Sequence, residues 1–317
     1  MVDSDRQAIA NGITTVFHAT TWSWEPGLRG SENAHRLIDA IDDLRPQLAA
    51  DTRFHLRQET FNLDAEPTIA KWLAAGRVDL FAFNDHKHMT AASMATPKKR
   101  VRMVERSGLS ESEFDALVDR VMTRAELVPG SIARLAAIGR EHGVPLLSHD
   151  NESPQQRADF RMIGIDIAEF PVNEETARAA IDNGDFTVFG APNVLRGGSH
   201  TGWVSAADMV SKNLCSILAS DYYYPAPLLA AFLLAADNIL PLAQAWTLVS
   251  GAPAAATELH DRGEIAVGKR ADIILVDAHD PVRPRVVAAV AGGRMVYLTE
   301  PQRVLLTASA VRRVEPA

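Results

Sequence analysis

The segment His55-Leu56-Arg57-Gln58-Glu59 alternates polar and other residues, so a strand there puts His55, Arg57 and Glu59 on one face. Burying three such side chains costs several kcal/mol unless they are paired or bound to an ion. Two chemistries answer that cost. One is a structural salt-bridge layer. The other makes Glu59 a metal ligand and leaves Arg57 to orient substrate or brace the site. The same texture recurs along the chain, where short apolar runs end in Asp85-His86, His149-Asp150, Glu169, Asn193 and Asp221. Imidazole and carboxylate together suit a divalent metal, Zn, Mn or Fe, as one ion or two. A bound metal brings the pKa of its water to about 7 and so supplies a nucleophile for phosphorus or carbonyl carbon.

This reading makes Glu59, His86, His149 and Asp221 the metal ligands. Asp221 is also the residue expected to accept a proton from the attacking water. Asp150 and Glu169 are expected to orient the ligands from behind, although Glu169 could itself ligate. His88 reads as solvated. Each assignment has a plainer counterpart: His149 as a capped strand-end residue, Asp221 as the N-cap of a helix after Tyr222-Tyr223-Tyr224-Pro225.

The run from Gly190 to His200, GAPNVLRGGSH, reads as an oxyanion-binding loop. Its glycines allow close backbone approach, and Arg196, Ser199 and His200 offer donors for phosphate oxygens. With Arg57 and Asn193 these residues form the expected substrate-binding set.

Elements must bring such distant residues together. Seven short apolar runs read as buried parallel strands: Thr14–His18, Phe54–Glu59, Asp79–Asn84, Val144–His149, Ile165–Phe170, Phe186–Gly190 and Ser216–Asp221. Helical stretches alternate with them, including Ser31–Leu48, Ser131–Glu141, Glu174–Ile181 and Ser205–Lys212. Repeated βα units imply a parallel sheet. Polar residues at nearly every strand's C-terminal end favour a barrel, which gathers those ends into one ring, over an open doubly wound sheet. A polar insertion from Met89 to Val128 contains the helix start Ser110-Glu111-Ser112-Glu113 and reads as a helical pair, solvated or serving as a lid. Residues 1–250 are expected to be the barrel. From 251 to 317 the texture becomes that of a small β module, with strands in Arg262–Asp277, Val286–Ala291 and Arg294–Leu298.

The bulk composition narrows the partners. The charge of −8 disfavours nucleic acid and membrane surfaces, which attract basic proteins. A small phosphorylated substrate remains compatible if local arginines receive it, and a homo-oligomer is compatible too. The lone Cys215 excludes an intrachain disulfide or a Cys-rich zinc site, and its apolar setting predicts an inert buried thiol. With an acidic, polar start at Met1–Arg6 and no long apolar run, the expectation is a cytoplasmic protein.

The ordered blocks HLRQE, NDH, SHDN, AEFP, GAPNVLRGGSH and SDYYYP together resemble the amidohydrolase superfamily, in particular its members that act in phosphonate catabolism. The resemblance runs from about Gly12 to Val296, and the tail GEIAVGKRADIILVD is similar to the superfamily's small β module. It implies an α/β fold, a (β/α)8-type barrel, with metal-dependent release of pyrophosphate from a ribose 5-triphosphate. It sets Glu59, His149 and Asp221 at the ligand positions of strands three, five and eight, and His86 at that of strand four. The superfamily's first strand, with its histidine motif, would precede the segment GITTVFHA, so the expectation is a barrel lacking that strand. Gln58 and Asn151 stand where the resemblance leads one to expect a Cys and a second Asp. Two other functions fit the same residues: cleavage of a non-peptide C–N bond, as in a cyclic amide hydrolase or deaminase, and a non-catalytic remnant of such a barrel.

Overall fold

The computed structural model describes residues 1–84, 96–198 and 204–301. Within them the first seven strands are β1 (Thr15–Trp22), β2 (Asp51–Glu59), β3 (Leu80–Asn84), β4 (Leu146–His149), β5 (Ile167–Glu169), β6 (Phe186–Gly190) and β7 (Ile217–Ala219). They form one parallel sheet in sequence order, β1 to β7. The sheet curls into most of a barrel, with helices between successive strands, so every expected strand is present and parallel.

The helices start where the backbone donors find acceptors. After α1 (Val2–Ala10) come α2 (Ser31–Leu44), α3 (Glu66–Ala74), α4 (Pro97–Ser107) and α5 (Glu111–Met122). Ser110 caps α5 through a reciprocal box with Glu113, as the motif predicts. The expected helical pair of the insertion is therefore α4 and α5. Then follow α6 (Val128–Glu141), α7 (Pro154–Met162), α8 (Glu174–Asp182), α9 (Ala191–Arg196), α10 (Ala206–Ser211), α11 (Ala226–Ala236), α12 (Leu242–Thr247) and α13 (Gly251–Ala256). Ser153, Asn173 and Ser205 cap α7, α8 and α10 with their side-chain oxygens.

Alternation along each strand separates two cores. Phe54, Leu56, Phe81, Phe83 and Leu146 point outward and pack with Trp72 and Leu135 of the helical layer. Leu80, Ala82, Leu147, Ile167, Val188 and Ile217 point inward and form the barrel's own filling, joined by Phe17 and Ala219. Residues two positions from these on the same strands share the interior face. That is the face of His55, Arg57, Glu59, Asn84, His149 and Glu169.

Among the described residues β1 and β7 pair with one neighbour each, which leaves a seam between them. Residues 248–262 close over it. The carbonyl of Leu248 accepts a bond from the Leu218 N–H at 2.9 Å. Ala252 and Ala256 of α13 join the interior filling. Arg262 donates to Thr15 Oγ1 at 2.8 Å and to Asp51 Oδ2 at 2.6 Å, tying the start of β1 to the start of β2.

The C-terminal module is a three-stranded antiparallel sheet of β8 (Ile273–Asp277), β9 (Arg285–Ala291) and β10 (Arg294–Leu298), in order β10-β9-β8. Its first strand is shorter than the sequence suggests. The stretch before Ile273 is made of turns, as Gly263 and Gly268, both at positive φ, dictate. Helix α1, which no sequence signal marked, packs against β9 and β10 through Ala8 and Ile9.

Candidate active site

The parallel register sets four polar residues at one level across four neighbouring strands. Glu59 pairs with Asn84, Asn84 with His149, and His149 with Glu169. All four are at the C-terminal ends of their strands and all are buried. One layer deeper, Arg57 lies level with Thr21 on β1 and with Ala82, Leu147 and Ile167 on the other side, and its long side chain reaches up into the polar row.

Arg57 puts one guanidinium nitrogen against Nε2 of His149, and its Nε lies 3.9 Å from Glu169 Oε2. Glu169 Oε2 is also 3.7 Å from His149 Nε2. On the other side of the ring, His149 Nδ1 lies 3.0 Å from Asp150 Oδ1. Arginine can only donate, so Nε2 is the acceptor in this contact, and Nδ1 is the ring nitrogen on the Asp150 side. The Phe170 ring meets the imidazole edge-on at 5.4 Å.

Charges in this layer shift one another. Burial pushes Glu169 upward, but Arg57, His149 and His55 outweigh it, and its carboxyl sits below the ordinary value. Burial dominates at His55 and brings its pKa down to about 4, with Glu169 opposing and Arg57 and His149 assisting. His55 is thus neutral at pH 7.

Three strand ends carry non-glycine residues in the left-handed region: Asp150 at φ 55°, Phe170 at φ 56° and Asp221 at φ 53°. Each such residue costs about 1 kcal/mol, and such costs gather where a side chain must be aimed. Asp221 follows β7 by two residues. Its Oδ2 and the Phe170 ring both lie 3.8 Å from the point where a Cβ on Gly190 would stand. Asp221 is not a helix cap, since α11 begins at Ala226 behind Pro225.

Where its glycines suggest a loop, residues Ala191–Arg196 of the run after β6 form a helix, α9. Pro192 sits in the first turn of α9, and Gly197, at φ 70°, ends it in the left-handed cap position. Arg196 closes that helix, exposed, donating to the Tyr222 hydroxyl and standing 5.9 Å over its ring. The side-chain oxygen of Asn193 accepts from the N–H of Ala206 at 2.9 Å, which fixes the start of α10. Asp85, His86, His88, Ser199 and His200 lie outside the described residues. Gln58 and Asn151 face away from the interior; Asn151 Oδ1 accepts from Ser148 Oγ at 2.6 Å.

The structure adds residues that the motifs did not mark. Asn84 occupies the β3 position of the polar row; counting by two from Leu80 and Ala82 would have found it. Arg29 follows β1, and its guanidinium is 3.8 Å from Glu59 Oε1. Arg106, in the last turn of α4, donates to Oε2 of the buried Glu25 at 2.9 Å and lies 2.6 Å from its Oε1. Burial above all, then the charge of Arg106, lowers the Arg29 pKa, while Glu59 and Glu25 work the other way.

The donor chemistry at the strand ends suits a divalent ion. Imidazole and carboxylates meet there, and the buried atoms Asn84 Oδ1, His55 Nε2 and Glu169 Oε2 have no hydrogen-bond partner among the described residues. Among the described residues, no three His, Cys, Asp or Glu side chains close into a complete cage. Cys215 takes no part: burial pushes its thiol up to about 12. Among the described residues no helix is long and apolar enough to cross a membrane.

Comparison with known proteins agrees with this fold. The pattern of the Amidohydrolase family matches residues 6–304. The chain is 34% identical over 287 residues to the alpha-D-ribose 1-methylphosphonate 5-triphosphate diphosphatase of Escherichia coli (strain K12), covering 88% of this chain and 76% of that protein. Among solved structures, a D-hydantoinase superposes with a TM-score of 0.59 at 12% identity, covering 94% of this chain and 79% of its own. The N-acetylglucosamine-6-phosphate deacetylase of Pasteurella multocida gives 0.56 at 11% identity, covering 92% and 78%. These two likenesses are of fold.

Proposed function

The chain belongs to the amidohydrolase family, and from that premise we propose that it releases pyrophosphate from a ribose 5-triphosphate bearing a methylphosphonate at C1. The observation that carries this reading is the 34% identity, held over 88% of the chain, to a diphosphatase named for that substrate. Family members generally use divalent metals. In this chain Glu59, His149 and Asp221, with His86, would hold one, Zn, Mn or Fe. When bound, it would supply Lewis acidity toward a phosphoryl oxygen and lower the pKa of a water.

The remaining work falls to the chain's own side chains. Asp150 orients the His149 ring from the Nδ1 side, as its 3.0 Å approach supports. Asp221 accepts a proton from the water that attacks the α-phosphorus. A P–O bond forms there as the bond to pyrophosphate breaks, and pyrophosphate leaves with the electron pair. Arg196, Ser199 and His200 receive the charge that gathers on it; the planar fork of Arg196 engages two oxygens at once. The 5-phosphate remains on the sugar.

The test compares pyrophosphate release from the ribose 5-triphosphate with ring opening of a cyclic amide, using the metal-supplemented chain. Pyrophosphate release alone is expected. Arg196→Lys keeps the charge but loses the fork, and should lower kcat/KM by at least about tenfold, a loss of one good charge-assisted hydrogen bond. Ring opening without pyrophosphate release would assign the chain to C–N bond hydrolysis instead. Failure of both reactions in folded, metal-loaded protein would favour a non-catalytic role.

A further inference from the structure

The cations that meet a polyanionic substrate need not all lie on one side of the barrel mouth. Arg196 stands at the β6–β7 side. At the β1–β2 side are Arg29 and Arg106, with Arg57 below them, and no motif marked the first two. One terminal nitrogen of Arg106 is held by Glu25, while its buried Nε has no hydrogen-bond partner among the described residues. Arg29 has no such hold: among the described residues its one charged neighbour within 4 Å is Glu59, at 3.8 Å, beyond hydrogen-bond reach. Among the described residues its guanidinium, which carries five N–H donors, has no hydrogen-bond acceptor. Its side chain is 41% exposed and opens on the mouth beside Glu59.

Something holds this cation close to two others despite the repulsion. Gly27, two residues earlier, has φ 81°, and a Cβ there would stand 2.6 Å from the Arg106 carbonyl oxygen. Only glycine permits that approach, so the loop after β1 and the end of α4 lock together and fix Arg29 beside Arg106. A guanidinium drawn in among like charges, with donors left over and one carboxylate out of bonding range, has the make-up of an anion receptor.

We propose that Arg29, steadied by the Gly27–Arg106 junction, forms a second anion subsite across the mouth from Arg196 and receives a phosphonate or phosphate at the substrate's far end. The inference rests on the proposed function for the identity of that end group, the C1 methylphosphonate. It defines the substrate class as sugars charged at both ends. A ligand charged only at C5 would engage Arg196 and leave Arg29 unused.

Calorimetric titration tests this without turnover. The probes are α-D-ribose 1-methylphosphonate 5-phosphate and ribose 5-phosphate, with the full chain and its Arg29→Gln variant. Arg106 is left intact, because its loss strands the buried Glu25. The unchanged chain should bind the two-ended ligand at least about tenfold more tightly, as expected for one charge-assisted pair. Arg29→Gln should bring that affinity down to the level of ribose 5-phosphate, whose own binding stays as before. Equal affinity of the two ligands for the unchanged chain, absence of binding by either, or an equal loss of both in the variant overturns the subsite. Pyrophosphate release is scored separately. A chain that prefers the two-ended ligand yet releases no pyrophosphate keeps the subsite and refutes the reaction.

Discussion

Arg57 donates to His149 at Nε2, the nitrogen whose lone pair a metal ion would need. A permanent cation therefore occupies the place of an exchangeable one, with Glu169 close to both groups at 3.9 and 3.7 Å. Two positive charges about 4 Å apart repel by about 4 kcal/mol at an effective dielectric of about 20. Metal loading must then turn Arg57 aside.

Arg57→Ala should accordingly bind Mn or Zn at least about tenfold more tightly than the unchanged chain, and His149→Ala should abolish binding in either background. Titration of metal-free protein measures both. If Arg57→Ala binds metal equally or more weakly, Nε2 of His149 is not a ligand.

How much of this site could be read from sequence depends on distance along the chain. His55, Arg57 and Glu59 are legible because a strand's period is two and all three fall within one strand. His149 and Glu169 are legible because apolar runs end at them. The helix after Gly190 is not legible because glycine signals both a phosphate loop and a helix stop, and here Pro192 and Gly197 delimit α9. Arg29 and Arg106 left no local trace. Arg106 and Glu25 are 81 residues apart, and only the folded packing of α4 on the loop after β1 brings them together.

Stability should fall with acid in a window set by His55. Its folded pKa of about 4 lies below the ordinary 6.5, so between those values the unfolded chain binds the proton and the folded chain does not. The stability lost on going from pH 7 to pH 5 should be about 2 kcal/mol from this group. His18, also lowered by burial, acts in the same direction. Glu169 does not enter, since its pKa lies below 4.5. Urea midpoints at the two pH values measure the loss, and His55→Gln, with no proton to gain, should shrink it. An unchanged pH slope in that variant would assign the acid sensitivity elsewhere.

Gly27→Ala should destabilise the chain by about 1–3 kcal/mol, combining a left-handed backbone cost with a Cβ driven into the Arg106 carbonyl. The same change should also loosen α4, because the junction fails at that helix's last turn. Hydrogen exchange reads this as faster amide exchange over residues 97–107 than in the unchanged chain. Uniform acceleration across the whole chain would mean that the junction is not local.

The seam between β1 and β7 has a consequence for synthesis. The seven strands pair in the order in which they are made, so each can join the sheet as it emerges. Closure cannot keep that pace: Arg262 meets Thr15 across 247 residues, and Leu248 must reach back to Leu218. Until those late residues appear, a nascent chain presents two unpaired strand edges, the kind of surface that pairs with other chains. The ribosome-bound intermediate is thus the form most exposed to aggregation, and a chain stopped short of Arg262 keeps that exposure permanently.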